Sequence, residues 1–340
     1  AWDKLDLDDS EFELNEGGAS MIKKILDDEL APKSSTILNS RKWYLGAAAA
    51  AMLILGLNMF GYFSKKEVPK LSIVDEFASK LDHEEYTKTS LVLADGSNIE
   101  LDTLKQDITL SLTNGIINKV ASGILTYHGK SNGTEGYNTL ITPKGDQYQI
   151  TLEDGTNVFL NAFFPNTFSK TERVVHLSGE AYFEVKKDSR KPFKVIFKDT
   201  HVEVLGTSFN IKAYEEDKHS STTLIEGSVE ILNKLNSKRI MPGEQVNINS
   251  HGRFTTKIVD VDIVTDWKNG YFHFKDSKVV EVMQTLSRWY NVKIDYPKNP
   301  LIDEFNGKVS KTAKLSELIE MLNYAGIKCK LQKGIIKVIP

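Results

Sequence analysis

The chain has 340 residues, room for two or three domains, and its 40% hydrophobic and 26% charged content is that of a folded protein. The net charge of −3 is uneven: residues 1–30 hold three lysines against ten acidic residues, whereas residues 64–340 hold 37 basic and 36 acidic ones. This neutral majority excludes the basic stripe that phosphate binding needs, so no nucleic-acid partner is expected. The single cysteine, Cys329, excludes an intrachain disulfide and a cysteine-based zinc site.

Residues 1–42 read as an acidic segment. Met21, Ile22, Ile25 and Leu26 share one side of a short helix within 19–30, which Ala31-Pro32 ends. The chain opens on Ala rather than Met, so it is expected to be processed or to be a fragment. Next comes Trp43 to Phe63, WYLGAAAAAMLILGLNMFGYF, 21 residues without a charge. At about 1.5 Å per residue this run spans about 31 Å, the thickness of a bilayer core. Trp43 and Tyr44 stand at one end and Tyr62 and Phe63 at the other, as in an aromatic belt. The expectation is one transmembrane helix over 43–63, an uncleaved signal anchor. Arg41-Lys42 and Lys65-Lys66 balance each other, so the flanks leave its orientation open.

Residues 64–138 read as a linker, a short helix over VDEFASKL and a first hairpin region. From Ser90 the pattern has period two. LADGSNIEL at Leu93 is repeated as LEDGTNVFL at Leu152, and both fit L-x-D-G-[Ser/Thr]-N-[Ile/Val]-x-L. Asp-Gly between alternating apolar runs is a strong hairpin signal, because Gly takes the positive φ of a tight turn. Asp95-Gly96 and Asp154-Gly155 are therefore read as structural turns, two arms of one β-stack. The competing reading, a catalytic carboxylate pair, is weaker because turn chemistry already explains both aspartates.

Residues 139–263 run strand after strand, from YQITLEDG through EAYFEV, FKVIF and SFNIKAY to EQVNIN. Turn residues recur every eight to twelve positions, which predicts antiparallel strands in a sandwich, barrel or solenoid. In 264–340 the period changes. Val279, Val282, Met283, Leu286 and Trp289 lie at helical spacing, as do Leu315, Leu318, Ile319 and Leu322, with Gly326 as a stop. The order predicted is β-α-β-β-α-β-β, closing on a hairpin at Gly334 whose strand GIIKVIP is expected to form an exposed edge. The fold class is thus a mainly β domain, a small C-terminal α+β domain and one transmembrane helix.

The seven histidines make no HxH, HExxH or HxxxH pair, and no nucleotide loop or GxSxG is present, so neither metal nor cofactor is expected. This favours binding and signalling over an enzyme. Gly206-Thr207, in VEVLGTSFNI, is the one candidate for chemistry. A threonine hydroxyl on a strained backbone can attack the preceding carbonyl, and the resulting ester is cleaved by water. Two strands joined at a glycine is the simpler reading of the same residues.

The strand region resembles the FecR family of bacterial transmembrane anti-sigma regulators. The stretches that carry the resemblance are TPKGDQYQITLEDGTNVFLNA (142–162), VVHLSGEAYFEVKKD (174–188), KPFKV (191–195), VEVLGTSFNIKAY (202–214) and MPGEQVNI (241–248). Residues 267–310 look like the C-terminal domain of the Bacteroidetes branch, a fold similar to the short signalling domain of secretins and TonB-dependent transducers. LVLADGSNIELD also looks like that branch, so the resemblance covers Leu91 to Pro340.

The resemblance implies an inner-membrane protein with its N-terminus in the cytoplasm and its β domain in the periplasm. It implies that the cytoplasmic part binds an extracytoplasmic-function sigma factor. It implies that the periplasmic part senses the signalling domain of a TonB-dependent outer-membrane receptor loaded with an iron chelate or a glycan. Some members cleave themselves at a Gly-Thr bond, and Gly206-Thr207 matches it. The sequence departs from the family at LNAFFPNTFSK, where LNAxSxLxYP is usual, and its segment before Trp43 is shorter than a sigma-binding helical domain. The alternative from another class is a membrane-anchored glycan- or cell-wall-binding module, with Tyr182, Phe183 and Tyr214 as candidates to line a groove, although the alternation in EAYFEV sets Tyr182 and Phe183 on opposite faces, so at most one of these two is free.

Overall fold

A computed structural model describes residues 87–112, 115–121, 123–129, 137–161, 164–169, 173–297 and 304–339. The acidic segment 1–42, the apolar run 43–63 and the short helix expected over VDEFASKL lie outside the described residues. Among the described residues no helix is long and apolar enough to cross a membrane. The chain divides into units of residues 1–70 and 71–340, and all described residues fall in the second.

The β region begins with β1 (Ser90–Val92), β2 (Asn98–Glu100), β3 (Ile108–Leu112), β4 (Gly115–Ala121), β5 (Ile124–Gly129), β6 (Tyr137–Thr142), β7 (Tyr148–Thr151), β8 (Asn157–Leu160) and β9 (Phe164–Ser169). It continues with β10 (Val174–Leu177), β11 (Gly179–Glu184), β12 (Phe193–Phe197), β13 (Thr200–Val204), β14 (Ser208–Ala213), β15 (His219–Glu226), β16 (Val229–Asn233), β17 (Ser237–Ile240), β18 (Glu244–Asn249) and β19 (Phe254–Ile258). Among the described residues they form two sheets, ordered β17-β16-β13-β12-β10-β9-β6-β1-β2 and β19-β18-β15-β14-β11-β8-β7-β5-β4-β3. Strands such as β8 and β13 bury alternate residues, as period two requires of a sheet with one face inward. The buried sets of both sheets join in one core, where Phe183 of β11 lies 6.1 Å from Phe193 of β12 in the opposite sheet. The architecture is a long two-layer sandwich that the chain fills from one end to the other. From β12 onward, hairpins alternate between the layers.

This layout corrects three expectations. The strands are not all antiparallel: β5 and β7 pair in parallel, and so do β10 and β12. In each case the intervening strand, β6 or β11, belongs to the opposite layer, so the chain re-enters its first layer in the same direction. No break falls between residues 138 and 139, because β1 pairs with β6, and Leu91, Leu101, Ile117 and Leu125 belong to the common core. The two repeats lie in opposite layers, β1–β2 in one and β7–β8 in the other.

Each repeat folds as its letters dictate. The leucine accepts from the glycine N–H at 2.8 Å in both copies, Leu93 from Gly96 and Leu152 from Gly155. The aspartate Oδ1 accepts from the N–H two residues on, 2.9 Å for Asp95–Ser97 and 2.8 Å for Asp154–Thr156. The hydroxyl of that residue donates to the same carboxylate. Gly96 and Gly155 hold φ of +85° and +81°, which an L side chain resists.

The C-terminal region holds α1 (Val261–Thr265), β20 (Tyr271–Ser277), α2 (Val279–Tyr290), β21 (Lys293–Asp295), β22 (Phe305–Ser310), α3 (Leu315–Tyr324), β23 (Cys329–Gln332) and β24 (Ile335–Val338). Asp260 caps α1 by accepting from Asp262 N–H, and Asn291 ends α2 in the left-handed region at φ +51°. The apolar stripes of α2 and α3 close a separate core with Phe272, Phe274, Val309 and Ile336. GIIKVIP is not an edge: β24 lies between β21, parallel to it, and β23, antiparallel. Its Ile336 is fully buried, and an apolar alternation this deep belongs to a central strand.

Candidate functional site

The Gly206-Thr207 peptide lies where the chain leaves β13 in one layer and enters β14 in the other. Gly206 has φ +155°, and a Cβ there would stand 2.7 Å from Lys187 Cα, so both backbone shape and space demand glycine. The Thr207 side chain is buried, and its hydroxyl donates to the Ser228 carbonyl at 2.9 Å. Gly227, at φ +93°, backs the same peptide: a Cβ there would lie 3.0 Å from both the Gly206 oxygen and Thr207 Oγ1. Val185 N–H donates to the Thr207 carbonyl and Asp188 N–H to that of Leu205, which fixes the peptide from the other side.

The loop that presses on Gly206 is itself anchored. Buried Arg173 donates through Nε to Asp154 Oδ2 at 2.5 Å, and through its two terminal nitrogens to the Lys191 and Lys186 carbonyls at 2.6 Å. Its guanidinium also stacks over Phe193. Asp154-Gly155 is therefore a turn that also carries an ion pair to a buried arginine. The structure does not bring the two aspartates together, since they sit in opposite layers.

Thr207 thus has an oriented hydroxyl on a tightly packed peptide, with a main-chain carbonyl as its hydrogen-bond acceptor. Among the described residues no group of three or more His, Cys, Asp or Glu side chains could hold a metal ion. Tyr182, Phe183 and Tyr214, expected to line a ligand groove, are all buried at 6%, 0% and 2% exposure. This corrects that expectation. Phe183 faces the core stack with Phe209, and Tyr182 and Tyr214 are covered by cations from the C-terminal domain.

Those cations belong to a joint that sequence reasoning missed. Trp267 Nε1 donates to Asn210 Oδ1 of β14 at 3.0 Å, and Gln147 Nε2 donates to the Trp267 carbonyl at 2.9 Å. Lys268 stands over Phe159 and Tyr182. Arg288 of α2 pairs with Glu216 at 2.7 Å and with Asp217. Beside the joint, Asp266 accepts from His273 Nδ1 and from Lys308 Nζ, both at 2.7 Å. Burial opposes ionisation of Asp266, but these two donors hold its carboxyl below the usual range. No signal for it stood in the sequence, since Arg288 lies on the side of the helix away from the Val279, Val282, Met283 and Leu286 stripe, where a charge reads as solvated surface.

Within the C-terminal domain, a groove of about 510 Å³ opens between β22, α2 and α3. Phe274, Leu286, Phe305, Leu318, Met321 and Tyr324 line it. Tyr324 is 97% exposed.

The described residues thus form a two-layer β scaffold with a small α+β domain clasped to it, and an apolar groove opens on that domain. Comparison with known proteins is specific. Residues 138–230 match the family model "FecR protein" and residues 271–338 match "FecR, C-terminal". Two crystal structures of a candidate anti-sigma factor from Parabacteroides distasonis ATCC 8503, at 1.65 and 2.50 Å resolution, are each similar at 31% identity with a TM-score of 0.55. Each comparison covers 59% of this chain and 98% of that one. No curated protein matches. The chain belongs to the FecR family.

Proposed function

We propose that this protein is a single-pass inner-membrane anti-sigma factor. The observation that carries the reading is the 31% identity over 98% of a chain itself described as a candidate anti-sigma factor. Both FecR family models, matched in order along this chain, support it. In this reading residues 43–63 cross the membrane, the segment before Trp43 faces the cytoplasm and contributes to holding an extracytoplasmic-function sigma factor, and the described domains are periplasmic. The C-terminal domain meets the signalling domain of a TonB-dependent outer-membrane receptor, and the groove beside β22 is the surface it offers. The role is regulatory rather than enzymatic. The test is co-purification of the full chain, in detergent, with the sigma factor encoded nearest to its gene. Retention supports the reading; loss of the sigma factor from a folded chain overturns it.

The packing around Thr207 favours a second activity, self-cleavage. The Thr207 Oγ1 attacks the Gly206 carbonyl carbon, its proton passes to the Thr207 nitrogen, and the C–N bond gives way to an ester. Water then hydrolyses the ester to a Gly206 carboxylate and a new N-terminal Thr207. Mass spectrometry of the wild-type chain and of Thr207→Ala tests this: a C-terminal piece starting at Thr207 in the wild type alone is expected, and one intact species in both removes the idea.

A further inference from the structure

We infer that the joint between the β sandwich and the C-terminal domain is a pH-gated clasp, with Lys311 as its pin, that loosens as the medium is acidified. Lys311 follows β22 directly and crosses into the β sandwich, where its Nζ donates to Asn161 Oδ1 at 3.0 Å. Three rings of the C-terminal domain surround the ammonium position: Trp289 at 4.3 Å, Phe272 at 5.4 Å and Trp267 at 5.5 Å from their centres. The residue is 5% exposed. Among the described residues it is in no salt bridge, unlike Arg288 in the same joint. A buried cation without a paired carboxylate is costly, and the common response is to shed the proton.

The charged and titratable groups facing Lys311 come from every side of the joint. Glu180 of β11 is tied by Asn161 Nδ2 at 2.9 Å and Asn210 Nδ2 at 3.2 Å. Lys212 of β14, Tyr214 just beyond it and Arg288 of α2 line a small cavity together with Glu180 and with Asn161, Phe272 and Trp289, the last three being neighbours of Lys311; its volume, about 20 Å³, is room for about one water. Burial pushes Lys311 down to about 7, with Glu180 acting in the opposite direction. Tyr214, by burial, is held well above its ordinary range.

The sign follows from linkage. In an opened joint Lys311 returns to water and to its ordinary value of 10.5. Between about pH 7 and 10.5 the open form therefore binds one more proton than the closed form, so closure is favoured as pH rises and that gain is lost as pH falls towards 7. Opening would release β14 at two points, Asn210 from Trp267 and Tyr214 from Arg288. The inference does not rest on what the C-terminal domain binds.

The experiment is hydrogen–deuterium exchange of the full chain in detergent, at pH 7.0 to 9.0 and corrected for intrinsic exchange. Protection of residues 208–214 and of α2 is expected to rise with pH, by up to about tenfold per unit towards pH 9. Lys311→Met, neutral throughout, and Lys311→Arg, charged throughout, should both lose that slope, while Lys212→Met keeps it. Protection of β12 serves as the folding control, and if Met fails it the Arg variant carries the test. A flat wild-type profile, or a folded position-311 variant with the wild-type slope, overturns the inference.

Discussion

The guanidinium of Arg288 lies 3.8 Å from the centre of the Tyr214 ring and pairs with Glu216 and Asp217, two and three residues beyond that tyrosine. One side chain of α2 thereby holds the exit of β14, and the planar fork stacks and pairs at once, which a lysine cannot do. Arg288→Met should leave Asp217, 12% exposed, without its partner and cost about 2–4 kcal/mol. Calorimetry should then show the C-terminal domain melting ahead of the β sandwich. Arg288→Lys should recover only part of the loss.

The two Asp-Gly turns should respond unequally to the same change. Asp95→Ala removes the two turn hydrogen bonds to Ser97 at an exposed site, which are worth about 0.5–1.5 kcal/mol. Asp154→Ala also strands buried Arg173, and about 3 kcal/mol or more is expected. Urea unfolding of the two variants checks this, and equal losses would show that Arg173 finds another partner.

Gly227 and Gly243 have similar positive φ, +93° and +86°, but only Gly227 has neighbours within contact range of an added Cβ. Alanine at Gly243 should cost about 1–2 kcal/mol of backbone strain. Alanine at Gly227 should cost measurably more, because it must push on the Gly206-Thr207 peptide. If the wild type cleaves itself, Gly227→Ala should slow cleavage while Gly243→Ala leaves the rate unchanged.

The groove of the C-terminal domain should be open to charge without loss of fold. Met321→Glu and Tyr324→Glu change exposed residues and should alter stability by no more than about 0.5 kcal/mol. Binding of a receptor signalling domain, measured by calorimetric titration, should weaken at least tenfold. Deleting 327–340 would be a poor substitute, since it removes the central strand β24 and its buried Ile336 and Val338.

His201 offers a second pH probe, half-buried on the outer face of β13. Burial and then the charge of Lys194 lower its pKa, so the folded state binds the proton less readily than the unfolded chain. Its contribution to stability is present above about pH 6.5 and is lost as pH falls through the lower folded value. Thermal melts from pH 7.5 to 5 should show a decline that His201→Gln reduces.

The parts legible in the sequence are those set by neighbours along the chain. The two L-x-D-G-[Ser/Thr] turns close on hydrogen bonds between residues two and three apart. The helix stripes of α2 and α3 follow from a period of 3.6, and the hairpin at Lys333-Gly334 from two adjacent positive φ values, +50° and +77°. The family was legible from its motifs for the same reason, because each is a contiguous run. The tertiary structure alone decided the rest. It placed the two repeats in opposite layers, buried GIIKVIP as a central strand, hid the three aromatics proposed for a groove and set Lys311 against Asn161, 150 residues away. No local period marks a pair that distant. Whether a lysine is a solvated surface charge or the buried pin of a joint depends on what the remainder of the chain packs around it.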